Sequence, residues 1–369
     1  MPPLRFCLDL THHAWARARP DDPAPIHRTL DLARAADAAG IELITVSEDP
    51  DGWDAFAVLG ALAGATSRVR LGTGVTNPYL RHPNLLAASV ATLDRLSSGR
   101  AFLGLGRGQT EWSERALGMD AGEPLAVLEE TIRLLRQWWT PPHQASSAEL
   151  DPPGEHFRVR GWERTIHPAQ PPPGPPIYLA AAGPRALALA ARRADGVIFN
   201  ALTSPDFLAA TIPRVRATAQ AAGRDPHALA FILKTAVVVT DDPDPVLARQ
   251  KNLIALINTL PGMDRLLVTP GFDLPAIMAE VRRLMRTEEV LAAGGAFPDL
   301  RRAGDLPAAR AAIPTALVER LAIVGPLPHV RARLRHLADL GVTHVFVAPP
   351  ESDVPADALA ETVRALASG

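Results

Sequence analysis

Polar and small residues gather just after apolar runs in this chain, and those clusters are where chemistry could sit. After the first run come Thr11, His12, His13 and Trp15; after the second, Glu48, Asp49, Asp51 and Trp53. The third is followed by Thr76, Asn77, Tyr79, Arg81 and His82, and the fourth by Arg107, Gln109, Glu111 and Trp112. Gly183-Pro184-Arg185 follows the fifth and Asn200 the sixth, while Lys234 and Thr235 lie inside the seventh. Gly183 leaves the backbone open to a ligand, and Pro184 suits a first helical position. Exposed N–H groups and the helix dipole there attract an anion, with Arg185 adding charge. The same Gly and Pro equally serve an ordinary turn.

Other clusters are less specific. Glu48 and Asp49 are adjacent, so on a regular strand they point oppositely and do not form a paired acid–base site. His12 and His13 lack an acid or histidine at ligand spacing; they read as a polar pocket edge, and no metal site is expected. His82, between Arg81 and Pro83, suits a helix cap as well as it suits catalysis. Trp15, Trp53 and Trp112 could cover a flat ligand or belong to the core. No G-x-S-x-G, Walker or Cys–His nucleophile arrangement occurs.

The elements that must position these groups alternate regularly. Strand-like runs cover Leu4–Leu10, Glu42–Ser47, Val69–Thr76, Ala101–Leu105, Ile177–Ala181, Gly196–Asn200, Ala230–Val239 and Thr343–Ala348. Most are apolar throughout, as expected of strands covered on both faces. Between them lie helices with one apolar stripe. Ile26, Leu30 and Ala33 share a face ahead of Gly40. Leu128, Ile132, Leu135 and Trp139 share another, with Glu129, Glu130, Arg133 and Arg136 turned outward, and Val330, Leu334 and Leu337 a third. Eight βα units predict a closed (β/α)8 TIM barrel, one domain over residues 1–369, with its site at the C-terminal ends of the strands. A dinucleotide fold is disfavoured, because Gln109 stands where GLGRGQ would need its third fingerprint glycine.

Two stretches interrupt the rhythm. Residues 141–176 hold ten prolines and predict an extended surface excursion, whereas residues 241–320 predict a largely helical insertion. Both are expected beside the active site or a subunit interface. Lys plus Arg (38) nearly balances Asp plus Glu (40), which argues against a nucleic-acid partner. The single cysteine, Cys7, excludes an internal disulfide and points to a reducing, cytoplasmic setting. The N-terminus lacks a signal-peptide core, and no run is long enough to span a bilayer.

Four segments in order carry a resemblance: LGTGVTNPYLRHP, ATLDRLSSGRAFLGLGRG, PIYLAAAGPRALALAARRADGVIFN and AIVGPLPHVRARLRHLADLGVTHVFV. Together they resemble the bacterial luciferase-like flavin barrel superfamily over nearly the whole chain, the two insertions excepted. GTGVTNPYLRHP looks most like the methylenetetrahydromethanopterin reductase branch, which uses the deazaflavin coenzyme F420; the luciferase branch uses reduced FMN and oxygen.

The resemblance implies a cofactor ring across the barrel mouth and a non-proline cis peptide at Gly74–Val75 bulging beneath it. Glu48 would lie near the ring, where relatives usually carry Asp; Asn77 and Gly106 would help form its pocket. Gly183, Pro184 and Arg185 would meet a phosphate tail, with Asn200 nearby. Asp49 and Gln109 replace proton-transfer groups of relatives, which leaves His82, Glu111 or His13 as substitute acid or base. The expectation is a hydride-transferring oxidoreductase acting with F420 on a small organic substrate and assembled as a homodimer or tetramer. The alternatives are an FMN-dependent monooxygenase and a flavin-binding barrel without catalysis.

Overall fold

The structure, a computed structural model, describes residues 4–11, 24–50, 52–109, 112–256, 263–295, 297–350 and 354–367. Eight parallel strands close into a barrel: β1 (Arg5–Asp9), β2 (Leu43–Val46), β3 (Arg70–Thr73), β4 (Ala101–Leu105), β5 (Ile177–Ala180), β6 (Gly196–Phe199), β7 (Ala230–Val239) and β8 (His344–Val347). Each pairs with the next, and β8 returns to β1 with Phe6 opposite Val345. The barrel encloses Cys7, Leu43, Phe102, Tyr178, Ile198, Ile232 and Phe346. Gly72 makes room for this filling, since a Cβ there would stand 2.6 Å from the Phe102 ring.

Outside the barrel, helices bury their apolar stripes against the strands, and burial of this kind is the main force holding the layers together. They are α1 (Ala24–Ala39), α2 (Ala55–Ala65), α3 (Pro83–Leu96), α4 (Pro124–Trp139), α5 (Pro184–Arg193), α6 (Pro205–Ala221), α7 (Leu327–Leu340) and α8 (Ala358–Ala367). Caps fix two starts: Asp54 accepts from the Ala57 N–H and Ser204 from the Phe207 N–H. Two periodicity expectations are corrected. On α1 the buried stripe is Thr29, Leu32, Ala33 and Ala36, with Ile26 and Leu30 only partly covered. On α4, Glu130 is buried rather than outward, because its carboxylate accepts three backbone N–H groups from Glu155, His156 and Phe157 at 2.8–3.0 Å.

That contact explains how a proline-rich excursion stays ordered. Asp94 on α3 does the same work further along, accepting from the Ala169 and Gln170 N–H groups at 2.7 and 2.8 Å. Two short strands, Gln144–Ala145 and Trp162–Glu163, pair antiparallel between these anchors. The excursion therefore lies against α3 and α4. The insertion after β7 is helical, as expected, and builds a second apolar cluster around Ile254, Met278, Val281, Met285, Leu317 and Val318. It ends in a strand that the sequence pattern did not mark, Ile323–Gly325, paired parallel with Val237–Val239. No helix among the described residues is long and apolar enough to cross a membrane.

Candidate active site

A cavity of about 690 Å³ opens at the C-terminal ends of the barrel strands. Its floor begins where β3 stops. The chain leaves the regular ladder at Gly74, whose peptide bond to Val75 is cis. The segment is still laced to both neighbours: Gly74 N–H donates to Val46 O, Glu48 N–H to Val75 O and Thr76 N–H to Gly104 O, each at 3.0 Å. β3 is accordingly shorter than Val69–Thr76, because those hydrogen bonds bypass the regular register. Glycine is required twice. A Cβ on Gly74 would stand 2.5 Å from Thr45 Cβ, and one on Gly106 would stand 2.8 Å from Val75 Cγ2. Ala180, Ala181 and Ile198 continue this flat apolar floor.

Charged groups around the floor fall into paired and unpaired sets. Glu48 is buried and borders the cavity, yet both its oxygens are engaged: Thr76 Oγ1 donates to Oε2 at 2.5 Å and Arg81 Nε to Oε1 at 2.7 Å. Arg81 also reaches Asp54 Oδ2 at 2.5 Å and packs over the Phe56 ring. Burial disfavours the Asp54 carboxylate, but the Ala57 and Phe56 N–H groups and Arg81 outweigh it and hold its pKa below the ordinary value. Lys234 borders the floor and pairs with Asp9 at 2.9 Å. By contrast, the side chains of Arg107, Arg185 and Arg265 have no hydrogen-bond or ion-pair partner among the described residues.

The nine residues expected to hold a cofactor (Glu48, Gly74, Val75, Asn77, Gly106, Gly183, Pro184, Arg185 and Asn200) all border this one cavity. Asn77 shapes its corner by accepting the Tyr79 and Leu80 N–H groups on Oδ1 at 3.0 and 3.2 Å. Gly183 begins α5 with no side-chain cap, so the first N–H groups of that helix are open to an anion.

The proposed acid–base residues fare differently. His82 does not border the cavity: Nδ1 accepts the Asn84 N–H at 3.2 Å, capping α3, and its ring meets the edge of Phe157. Burial pushes the His82 imidazole pKa down. Glu111 and His13 lie outside the described residues, as does Trp15. Trp112 borders the cavity, whereas Trp53 is exposed and does not.

Several lining residues escaped the sequence reading. Arg265 comes from the β7–β8 insertion, in the short helix Met263–Leu266, and Leu125 and Leu128 come from α4. Nothing local marks Arg265, since only the path of the insertion brings it to the cavity. The proline-rich excursion contributes no lining residue among those described.

These features fit a planar ring carrying an anionic tail. The floor carries glycine at Gly74 and Gly106 and small or apolar groups at Val75, Ala180, Ala181 and Ile198, and the lining also offers Arg185, Arg265 and a free helix N-terminus. A cavity at the carboxyl end of a closed parallel barrel is the usual seat of chemistry in barrel enzymes. The chain belongs to the luciferase-like monooxygenase family, whose sequence model matches residues 6–344. It is 28% identical over 327 residues to the 5,10-methylenetetrahydromethanopterin reductase of Methanolobus tindarius, covering 88% of this chain and 91% of that one. Identity is 36% over 222 residues to the F420-dependent hydroxymycolic acid dehydrogenase of Mycobacterium tuberculosis, covering 57% and 58% of the two chains. The solved coenzyme F420 dependent tetrahydromethanopterin reductase of Methanopyrus kandleri matches with a TM-score of 0.76 at 23% identity, covering 98% of each chain, a likeness of fold. The chain is thus an oxidoreductase of a family that includes F420-dependent members.

Proposed function

We propose that this enzyme transfers hydride between coenzyme F420 and a small organic substrate, working in the cytoplasm. The observation that carries the reading is the cavity floor. A Cβ at Gly74 or Gly106 would collide with Thr45 or Val75, so only glycine fits at these two positions of the floor. The names of the relatives, two of them F420-dependent, support the deazaflavin over FMN.

When bound, the deazaflavin supplies a carbon that gives or takes hydride. The chain's part is orientation and electrostatics. Gly183, Arg185 and Arg265 would hold the anionic tail, and Trp112, Leu125 and Leu128 would help exclude water. Gln109 borders the cavity as a neutral amide and can hydrogen-bond a substrate oxygen without donating a full proton. Proton transfer would then fall to Asp49, which borders the cavity beside Glu48, or to Glu111 or His13.

A second reading, an FMN-dependent monooxygenase, is favoured by the family's own description. Gln109, standing where an acid is expected, favours a third, a ring-binding barrel without turnover. Anaerobic titration of the purified protein with F420 and with FMN, followed by oxygen uptake with each reduced form, separates the three. F420 binding without oxygen uptake, followed by reoxidation of reduced F420 by a panel of carbonyl, imine and enone substrates, is the expected result. FMN binding with oxygen uptake would replace this proposal with the second reading.

A further inference from the structure

One partly buried cation joins three of the strands that form the cavity floor. Lys234 lies at an irregularity in β7: Leu233 pairs with Val345 and Ala236 with Phe346, so Lys234 and Thr235 have no partner in β8. A bulge of this kind re-aims a side chain. Here it sends the ammonium into the barrel mouth, where Nζ donates to the Gly74 carbonyl oxygen, approaches Ser47 Oγ at 3.4 Å and pairs with Asp9 Oδ2 at 2.9 Å. Ser47 Oγ donates to the same Gly74 oxygen at 2.7 Å. Thr11 completes the circuit, donating its hydroxyl to Asp9 Oδ1 at 2.5 Å while accepting the Ser47 N–H at 2.8 Å.

We propose that Lys234 is a positioning residue for the ring-binding floor, fixing the height of the Gly74–Val75 segment and presenting a fixed positive charge to whatever ring rests on it. Lys234, Ser47, Gly74 and Val75 all border the cavity, whereas Asp9 does not. The cation therefore faces the ligand, with its counter-charge beneath. Even partial burial of an ion pair costs desolvation that an apolar pair of similar size would avoid. A barrel end closed only for stability has no need of one. The interrupted β7 ladder is a second cost with the same beneficiary. Asp9 keeps the arrangement charged: burial alone would push its carboxyl up, but the Lys234 ammonium and the Thr11 hydrogen bonds outweigh this and hold it below the ordinary carboxylate value.

The inference rests on the reading that the cavity holds a flavin or deazaflavin ring. Lys234→Met keeps the length of the stem and removes the charge. Affinity for the ring is expected to fall by about tenfold, the scale of one lost charge-assisted contact. A positive charge favours the electron-richer form, so affinity for the reduced ring should fall by about a further tenfold, lowering the midpoint potential of the bound cofactor. Lys234→Cys treated with 2-bromoethylamine regenerates an ammonium on a stem of matching length, and the native thiol, Cys7, is buried. Recovery of affinity and potential on alkylation is the expected result; a purely structural defect would not shift the potential.

Unchanged affinity and potential in Lys234→Met would overturn the proposal. If the wild-type protein takes up FMN and rejects F420, the cofactor reading falls and the same comparison is made with FMN. A crystal structure of ligand-free Lys234→Met reads the floor without any cofactor. Displacement of the Gly74 carbonyl supports the role, and an unmoved floor refutes it.

Discussion

Arg81 Nε donates to Glu48 Oε1 at 2.7 Å, so the one buried carboxylate bordering the cavity among the described residues is neutralised by a guanidinium. Removing that guanidinium leaves an unpaired buried charge. Arg81→Met should therefore destabilise the fold by about 2–3 kcal/mol, near the lower range for breaking a buried pair because Arg81 is partly exposed. The double variant Glu48→Gln/Arg81→Met should recover much of the loss. Urea denaturation of the two variants measures both; a single-variant cost below about 0.5 kcal/mol would make the pair no stronger than a surface one.

Arg185 and the open N-terminus of α5 are assigned to an anionic tail. Arg185→Ala should weaken binding of the phosphate-bearing cofactor by about tenfold and leave the same ring without its phosphate unaffected. Fluorescence titration with both forms decides. Equal losses for the two would move Arg185 from the tail to the ring.

His82 serves as a helix cap, which predicts a stability effect alone. His82→Ala should cost about 1 kcal/mol, and His82→Asn, whose side chain can accept the same N–H, appreciably less. Cofactor affinity should not change in either. A stable His82→Ala protein that has lost turnover would return the residue to the chemistry.

A buried histidine far from the cavity should make the fold less stable in acid. Burial, with help from Arg5 and Arg70, pushes the His344 imidazole from its ordinary 6.5 down to about 4. Above pH 6.5 both folded and unfolded chains carry it neutral, and it has no effect. As pH falls towards 4 only the unfolded chain gains the proton, so stability is lost across that window, by about 3 kcal/mol in total. Below about 4 this contribution is constant. His344→Gln should flatten the stability profile between pH 6.5 and 4, measured by denaturant midpoints; an unchanged slope would assign the sensitivity elsewhere.

The barrel was legible in the sequence because its strands, buried on both faces, are uninterrupted apolar runs separated by striped helices. The turn at Gly183-Pro184-Arg185 was legible for a local reason, the special backbone roles of glycine and proline. What stayed hidden depends on contacts distant in sequence. Glu130 is buried because residues 155–157 point their N–H groups at it. Lys234 faces the floor because β8 pairs with both sides of it and skips it. Arg265 reaches the cavity only through the path of an 80-residue insertion, and the strand Ile323–Gly325 is too short for any periodicity to mark. The Gly74–Val75 cis peptide that the resemblance implies is present, and of the two roles the sequence allows His82, the structure shows the helix cap.

The central claim is that the cavity above Gly74 and Gly106 is built for a deazaflavin. Its most direct test offers the purified protein equimolar F420 and FMN and identifies by absorbance and fluorescence which ring remains bound after gel filtration. Retention of F420, abolished by Gly106→Val, is the predicted outcome; retention of FMN, or of neither ring, would contradict it.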